Sequence, residues 1–147
     1  MFTSITDQLA IGDEMTQERL NAFAQQGYRT VIDLCTAQEG NTITEAQARE
    51  AGLVLKHMPV SMQTLSSETV KQFITTVEDA DGPVYTRCAS SRRAALMAFL
   101  MQATQQHWTQ SQFFERVEAA GFDCRSAPQL AAFAEDYLGH SVPNREN

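Results

Sequence analysis

The sequence predicts a single α/β domain over residues 1–140, with a central, mostly parallel sheet of about four to five strands flanked by helices. Short apolar segments rich in β-branched residues recur along the chain, and segments with the helical spacing of apolar residues separate them. Strands that alternate with helices require crossover connections, and these place the strands side by side in the same direction. A chain of 147 residues is also long enough to bury one hydrophobic core.

The first half of the chain begins with residues 2–11, which alternate loosely around a turn-like centre and predict a small hairpin. Thr16 follows in a position to cap a helix that carries apolar residues on one face. The β-branched segment 30–34 reads as a buried strand. Thr42 and Glu45 have the spacing of a capping box, which predicts a short second helix.

The second half repeats the pattern, with a strand predicted at 54–58, a helix that Ser66 or Ser67 caps, and a strand at 83–86. The helix after that third strand is apolar nearly all round for two turns, which predicts a buried central helix. The capping box Thr109/Gln112 predicts one more helix, and Pro128, in a first turn, predicts another. Residues 141–147 form a polar tail, which we expect to fray.

The charge and the cysteine content limit the partners. A net charge of -7 argues against nucleic acid and anionic membranes, because neither attracts an acidic surface. No apolar stretch reaches membrane-spanning length, and the first residues lack the features of a signal peptide. Three cysteines in such a chain suggest reduced thiols and a cytoplasmic location. Their spacing is not that of a zinc site, so we expect no metal and no cofactor.

The end of the third strand carries the residues that best predict a function. It runs into Cys88, a short polar loop, and two arginines at the start of the central helix. Amide N–H groups at a helix start lack partners, and the helix dipole adds positive charge there. A cysteine at that point ionises more readily, and its thiolate is a nucleophile. We interpret the segment as an anion-binding cup, in which the anion is bound by Ala89, Ser90, Ser91, Arg92 and Arg93.

A structural interpretation of the same residues is also open, with Cys88 as a small buried hydrophobe and the arginines in solvent. Two arginines oppose the dipole at a helix start unless an anion lies among them, and this favours the cup. Arg92 can line its mouth or point to solvent. Arg87 can lower the pKa of Cys88, or it can pair with a core carboxylate such as Asp33.

Other polar residues follow the neighbouring strands, whose carboxyl ends meet at one edge of a parallel sheet. The cup lacks an evident general acid, and Glu39 is our best candidate, although a solvated loop glutamate is an equal alternative. For His57 we favour a core or packing role over an acid role. Cys35 is either a buried small residue or a thiol that resolves an oxidised Cys88.

Several short motifs support a resemblance over residues 2–138: Leu9-Ala10-Ile11-Gly12, Gly27-Tyr28-Arg29-Thr30-Val31-Ile32-Asp33-Leu34, Gly52-Leu53, His57-Met58-Pro59-Val60, and Pro83-Val84 before the cysteine loop. With these the chain resembles a small bacterial family of phosphatase-like domains that also occur fused to metallo-β-lactamase-fold hydrolases. The resemblance implies a fold of the dual-specificity or tyrosine phosphatase type, with Cys88 as the nucleophile and Arg93 as the oxyanion clamp.

The chain departs from that family at a few positions. Ser91 stands where the family usually has glycine, Ala94 where it has a hydroxyl, and Cys35 where it often has arginine. Four residues separate Cys88 from Arg93, one fewer than in tyrosine phosphatases, and rhodanese-type sulfurtransferases use a loop of this size.

Three functions remain open on the sequence. The first is hydrolysis of phosphate monoesters through a thiophosphoryl-cysteine intermediate. The second is sulfur transfer with a persulfide on Cys88, which needs no general acid. The third is an oxyanion-binding module without turnover. Each takes a small anionic substrate or a phosphorylated ligand as its partner.

Overall fold

The computed structural model describes residues 2–40, 42–61, 63–90, 92–122 and 127–141. Its strands are β1 (Phe2–Thr6), β2 (Leu9–Gly12), β3 (Thr30–Asp33), β4 (Val54–His57) and β5 (Val84–Arg87). They form one sheet in the order β1-β2-β5-β3-β4. Only β1 is antiparallel to its neighbour, and the remaining pairs are parallel. The α/β fold with a mostly parallel sheet is thereby confirmed.

The helices of the described residues are α1 (Gln17–Gln25), α2 (Glu45–Ala51), α3 (Ser67–Asp79), α4 (Arg92–Gln106), α5 (Gln110–Ala119) and α6 (Pro128–Ser141), with a 3-10 turn at Ala37–Glu39. The predicted N-caps are confirmed for α1, α3 and α5, where the hydroxyl of Thr16, Ser66 or Thr109 accepts an amide N–H of the first turn.

The predicted cap of α2 at Thr42 is wrong, because Thr44 occupies that position and forms a capping box with Gln47. Ile43 explains the shift. Its side chain is buried in the core, and its backbone N–H donates to the Asp33 carboxylate at 2.7 Å. The chain is therefore fixed to the sheet at Ile43, and the helix begins after that anchor.

The sheet separates two apolar clusters, because successive strand residues point to opposite faces. Val84 belongs to the cluster formed with α3 to α6, and Tyr85 belongs to the cluster formed with α1 and α2. The first turns of α4 are buried on all sides from Ala94 to Met101, as predicted for the central helix. This helix begins directly behind the carboxyl end of β5.

β4 is an edge strand of the sheet, because only β3 pairs with it. Its residue Val54 is therefore exposed, unlike the residues of the central strands.

No helix in the described part of the chain is both long and apolar enough to cross a membrane. The tail that was expected to fray lies almost wholly outside the described residues, at 142–147.

Candidate active site

Cys88 lies at the carboxyl end of β5, where the strand turns into the loop before α4. Its side chain is fully buried as a free thiol, and its backbone N–H donates to the carbonyl of Gly12 at 3.1 Å. The amide N–H of Ala94, in the first turn of α4, donates to the Cys88 Sγ at 3.4 Å. The sulfur therefore faces the amino end of the helix, which bears partial positive charge.

Arg93 is anchored to the ends of two neighbouring strands. Its Nη1 donates to the carbonyl of Val60 at 2.8 Å and more weakly to that of Leu34 at 3.4 Å. Nη1 and Nη2 also donate to the two carboxylate oxygens of Glu39, at 2.9 and 2.7 Å. The hydrogen bonds to Glu39 raise the pKa of Arg93, and the nearby charge of Cys88 raises it further. The guanidinium is a fixed cation.

This arrangement leaves one edge of the Arg93 guanidinium open. A guanidinium has five N–H donors, and two of its edges can each grip an oxyanion with parallel hydrogen bonds. Glu39 takes the edge formed by Nη1 and Nη2. The Nε–H and the second N–H of Nη2 have no acceptor within the described residues. An oxyanion can therefore bind the second edge while Glu39 holds the first.

Glu39 has surroundings that oppose the predicted acid role. The hydrogen bond from Arg93 lowers the pKa of Glu39 to about 2, and the Thr36 amide and hydroxyl stabilise the same carboxylate. A carboxylate with this pKa is ionised at neutral pH and has no proton to donate. Glu39 is correctly placed at the sheet edge, but its contacts are those of a residue that positions Arg93.

A second ion pair lies beneath the cup, between Arg87 and Asp33. The Asp33 carboxylate accepts the backbone N–H groups of Cys35 at 3.1 Å and Ile43 at 2.7 Å, and Arg87 Nη1 at 3.2 Å. Arg87 also donates to the sulfur of Met15 at 3.0 Å. Of the two alternatives for Arg87, the structure shows the pair with the core carboxylate.

Among the described residues, no hydrogen bond joins the side chain of Cys35 or His57 to a residue of the cup. The Cys35 Sγ accepts a hydrogen bond from Arg87 Nη1 at 3.2 Å, and burial raises the pKa of Cys35 to about 11. Its thiol stays protonated at neutral pH, which opposes a resolving role. A core or packing role is predicted for His57. Its side chain is 46% exposed, because β4 is an edge strand, and its Nε2 lies 3.7 Å from Asp33 Oδ2, so of these two roles only packing fits.

A cavity of about 490 Å³ opens beside the cup. It is lined by Glu39, Ser61, Ser90, Arg92, Arg93 and residues 127–130. Arg92 lines this cavity and is also exposed to solvent, so both of its predicted positions stay open. Ala89 and Ser90 are exposed in the loop, and Ser91 lies outside the described residues. Sequence reasoning missed the wall formed by the first turn of α6, since Pro128 marks a helix start without indicating which edge of the sheet it faces.

The sheet order, the buried cysteine at the end of β5 and the arginine held behind it define a protein of the dual-specificity and tyrosine phosphatase fold class. Residues 5–135 match the family model described as a DSP-PTPase phosphatase fused to NAD+ kinase, and the chain belongs to this family.

Relatives of known sequence agree with the resemblance stated above. The chain is similar to the beta-lactamase hydrolase-like protein of Xylella fastidiosa (strain Temecula1), with 27% identity over 124 residues. It is also 25% identical over 128 residues to the protein of that name from Agrobacterium fabrum. The matches cover 81% and 84% of this chain but only 29% and 30% of those relatives, so the chain spans less than a third of their length.

Solved structures share the fold. A candidate phosphatase (DUF442) from Shewanella putrefaciens superposes with a TM-score of 0.76 at 19% identity, covering 95% of this chain and 90% of that one. TpbA from P. aeruginosa, solved with phosphotyrosine, gives a TM-score of 0.73 at 15% identity, covering 95% and 88%. Identities this low show the fold alone.

Proposed function

We propose that this chain hydrolyses phosphate monoesters, with Cys88 as the nucleophile and Arg93 as the clamp of the transferred phosphoryl group. The observation that carries the proposal is the pairing of two features at one sheet edge. The Cys88 sulfur receives the Ala94 amide N–H at 3.4 Å, and Arg93 keeps a free bidentate edge behind the same loop. Membership of a phosphatase family supports it.

In the first step the Cys88 thiolate attacks phosphorus in line with the ester oxygen. The S–P bond forms as the P–O bond to the leaving group breaks, and the leaving oxygen departs with the bonding electron pair. Loop amides and the open edge of Arg93 stabilise the charge on the equatorial oxygens. In the second step water attacks phosphorus, the S–P bond breaks, and inorganic phosphate and the thiolate are released.

The lack of a general acid among the described residues of the site limits which leaving groups its substrates can have. Glu39 is the one carboxylate lining the cavity among the described residues, and it is ionised in its pair with Arg93. An alkoxide leaves poorly without a proton, whereas a phenoxide leaves more easily as the anion. We therefore infer a preference for aryl over alkyl phosphates.

The test is release of phosphate from 4-nitrophenyl phosphate by the reduced protein, with Cys88→Ser as the loss variant. Cys35→Ser is the matched control, because Cys35 is also a buried free cysteine, and among the described residues its Sγ is hydrogen-bonded to Arg87 and not to a residue of the cup. We expect activity that Cys88→Ser abolishes and Cys35→Ser retains, with both variants folded by thermal melting. Activity that survives Cys88→Ser would overturn the proposal.

Sulfur transfer is the second candidate, because a persulfide on Cys88 needs no general acid and the described cavity offers none. Its assay is release of thiocyanate from thiosulfate and cyanide by the same three proteins. Thiocyanate release without phosphate release would replace the first function by the second. If neither product forms while the protein binds vanadate or phosphate, the third function, anion binding without turnover, takes their place.

A further inference from the structure

Arg92 leaves an uncompensated positive charge at the mouth of the cavity. Its side chain is exposed, and within the described residues it makes no salt bridge and no side-chain hydrogen bond. Its neighbour Arg93 has its charge matched by Glu39. The first turn of α4 contains no acidic residue, so the helix dipole opposes Arg92 as well. An anion bound at Arg92 would remove this unfavourable arrangement.

A second part of the cavity lining has the same electrostatic sign. It is formed by Ala127 and the first turn of the 14-residue helix α6, which carries no acidic residue. The amino end of a helix bears partial positive charge. Gln129 of this turn is exposed, and Ser61, in the loop after β4, adds a hydroxyl to the lining. No aromatic side chain of the described residues lines the cavity, so beyond the phosphoryl group the lining offers contacts to an anionic group and no ring stacking.

The size of the cavity gives room for that second group. A volume of about 490 Å³ lies within the range of small-molecule sites and exceeds what one phosphoryl group fills. Under the function proposed above, Arg93, which lines the cavity, holds the phosphoryl group together with Cys88, which is buried and is not part of the lining. Arg92 and the first turn of α6 also line the cavity, and they are available to a second group.

We propose, on the basis of that function, that the substrates are small phosphate monoesters that carry a second anionic group, a phosphate or a carboxylate. Arg92 binds the second group, and Cys88, Arg93 and the loop amides bind the first. Arg92 is thereby assigned to the second group instead of to the anion of the cup, where the sequence had placed it. Arg92 is then a specificity residue that contacts the substrate away from the phosphorus atom that reacts.

The experiment measures binding rather than turnover, so that it does not depend on the reaction. The probes are 4-methylbenzylphosphonate, with one anionic group, and 3- and 4-carboxybenzylphosphonate, with two, each titrated calorimetrically into the reduced protein at fixed ionic strength. We expect at least one two-charge probe to bind about tenfold more tightly, the worth of one charge-assisted contact. In Arg92→Gln this advantage should fall to about twofold or less, with the one-charge probe nearly unaffected.

Arg49→Gln is the matched control, because it removes the same charge from an exposed residue in the last turn of α2, at the opposite edge of the sheet. It should retain the advantage. Equal affinities of the wild-type protein for all three probes would overturn the proposal. So would an Arg92→Gln variant that weakens every probe alike, or a neutral phosphotyrosine peptide that binds more tightly than the two-charge probes. Failure of the hydrolysis assay alone would overturn only the proposed function, since these affinities are measured without turnover.

Discussion

Two arginine–carboxylate pairs lie within one region of this molecule, Arg87 with Asp33 and Arg93 with Glu39. They differ in how far they are exposed to solvent and in whether the arginine lines the cavity. In the lower pair Arg87 and Asp33 are 2% and 0% exposed, and the Asp33 oxygens are also bonded to backbone amides. In the upper pair Arg93 and Glu39 are 17% and 29% exposed, and one edge of Arg93 remains open beside the cavity.

The contrast separates a pair that holds the fold from a pair that serves the site. A buried charge without its partner costs several kcal/mol, whereas a partly exposed pair is screened by water and contributes little to stability. Removal of the two carboxylates, one at a time, should therefore change different properties of the protein. Loss of Asp33 should be seen in unfolding, and loss of Glu39 in activity.

Asp33→Ala should have the greatest effect, a loss of about 3–5 kcal/mol in the free energy of unfolding, because it removes the buried carboxylate that lies 3.2 Å from the Arg87 guanidinium. It also removes the acceptor of the Cys35 and Ile43 amides. Urea denaturation of the reduced protein measures this loss, and Glu39→Gln is the control for a carboxylate of the upper pair. A change as small as that of the control would show that the lower pair is not structural.

Arg93→Ala should lower kcat/KM for 4-nitrophenyl phosphate by about 10²–10³-fold, the usual cost of one donor to a developing oxyanion. The kinetic loss should exceed the loss of stability, which urea denaturation of the same variant measures. Arg92→Ala is the neighbouring control and should retain most activity on this substrate with one anionic group. Equal losses in the two variants would mean that both arginines bind the transferred phosphoryl group.

Glu39→Gln should lower kcat/KM by about tenfold, because Arg93 loses a charge-assisted anchor and is held less firmly. A positioning residue should cost the same for phenyl phosphate as for 4-nitrophenyl phosphate. A general acid would instead cost much more for phenyl phosphate, whose leaving group is poorer. A loss that grows with the leaving-group pKa would restore Glu39 as the acid.

The pH dependence of stability provides a further test of the upper pair. Because Arg93 lowers the pKa of Glu39 from its ordinary 4.5 to about 2, the folded state binds this proton less readily than the unfolded state. The stabilisation is present above pH 4.5 and is lost as the pH falls towards 2. The difference in melting temperature between wild type and Glu39→Gln, which should be small because the pair is partly exposed, should therefore vanish over this interval. Parallel curves would contradict the pKa shift.

Thr86→Val should have the smallest effect. Thr86 precedes Arg87 on β5, so this substitution lies next to the buried pair of Arg87 and Asp33. The Thr86 hydroxyl is buried and has no hydrogen-bond partner among the described residues. Its replacement by a methyl group of similar shape should change the free energy of unfolding by about 1 kcal/mol or less, in the stabilising direction. Chemical denaturation of Thr86→Val measures this change, with Thr86→Ser as the control that keeps the hydroxyl. Marked destabilisation by Thr86→Val would mean that the hydroxyl forms a hydrogen bond in the folded protein.

Much of the fold was predictable because it depends on local patterns. β-branched segments, capping residues and the apolar run of α4 are properties of neighbouring residues, and they are repeated in the strands and helices of the structure. The position of Cys88 between a strand and a helix was predictable for the same reason. The cap at Thr44 was not, because the anchor that displaces it is a hydrogen bond between Ile43 and the distant Asp33.

By itself, the sequence determined the order of strands and helices and the placing of a cysteine and two arginines at a helix start, since these follow from spacing along the chain. Only the tertiary structure decided how the charges pair. Arg87 meets Asp33 and Arg93 meets Glu39 across 54 residues in each case, because the ends of β3 and β5 lie side by side in the sheet. Ion pairs depend on distance in space, and neither partner's identity can be read from its neighbours along the chain.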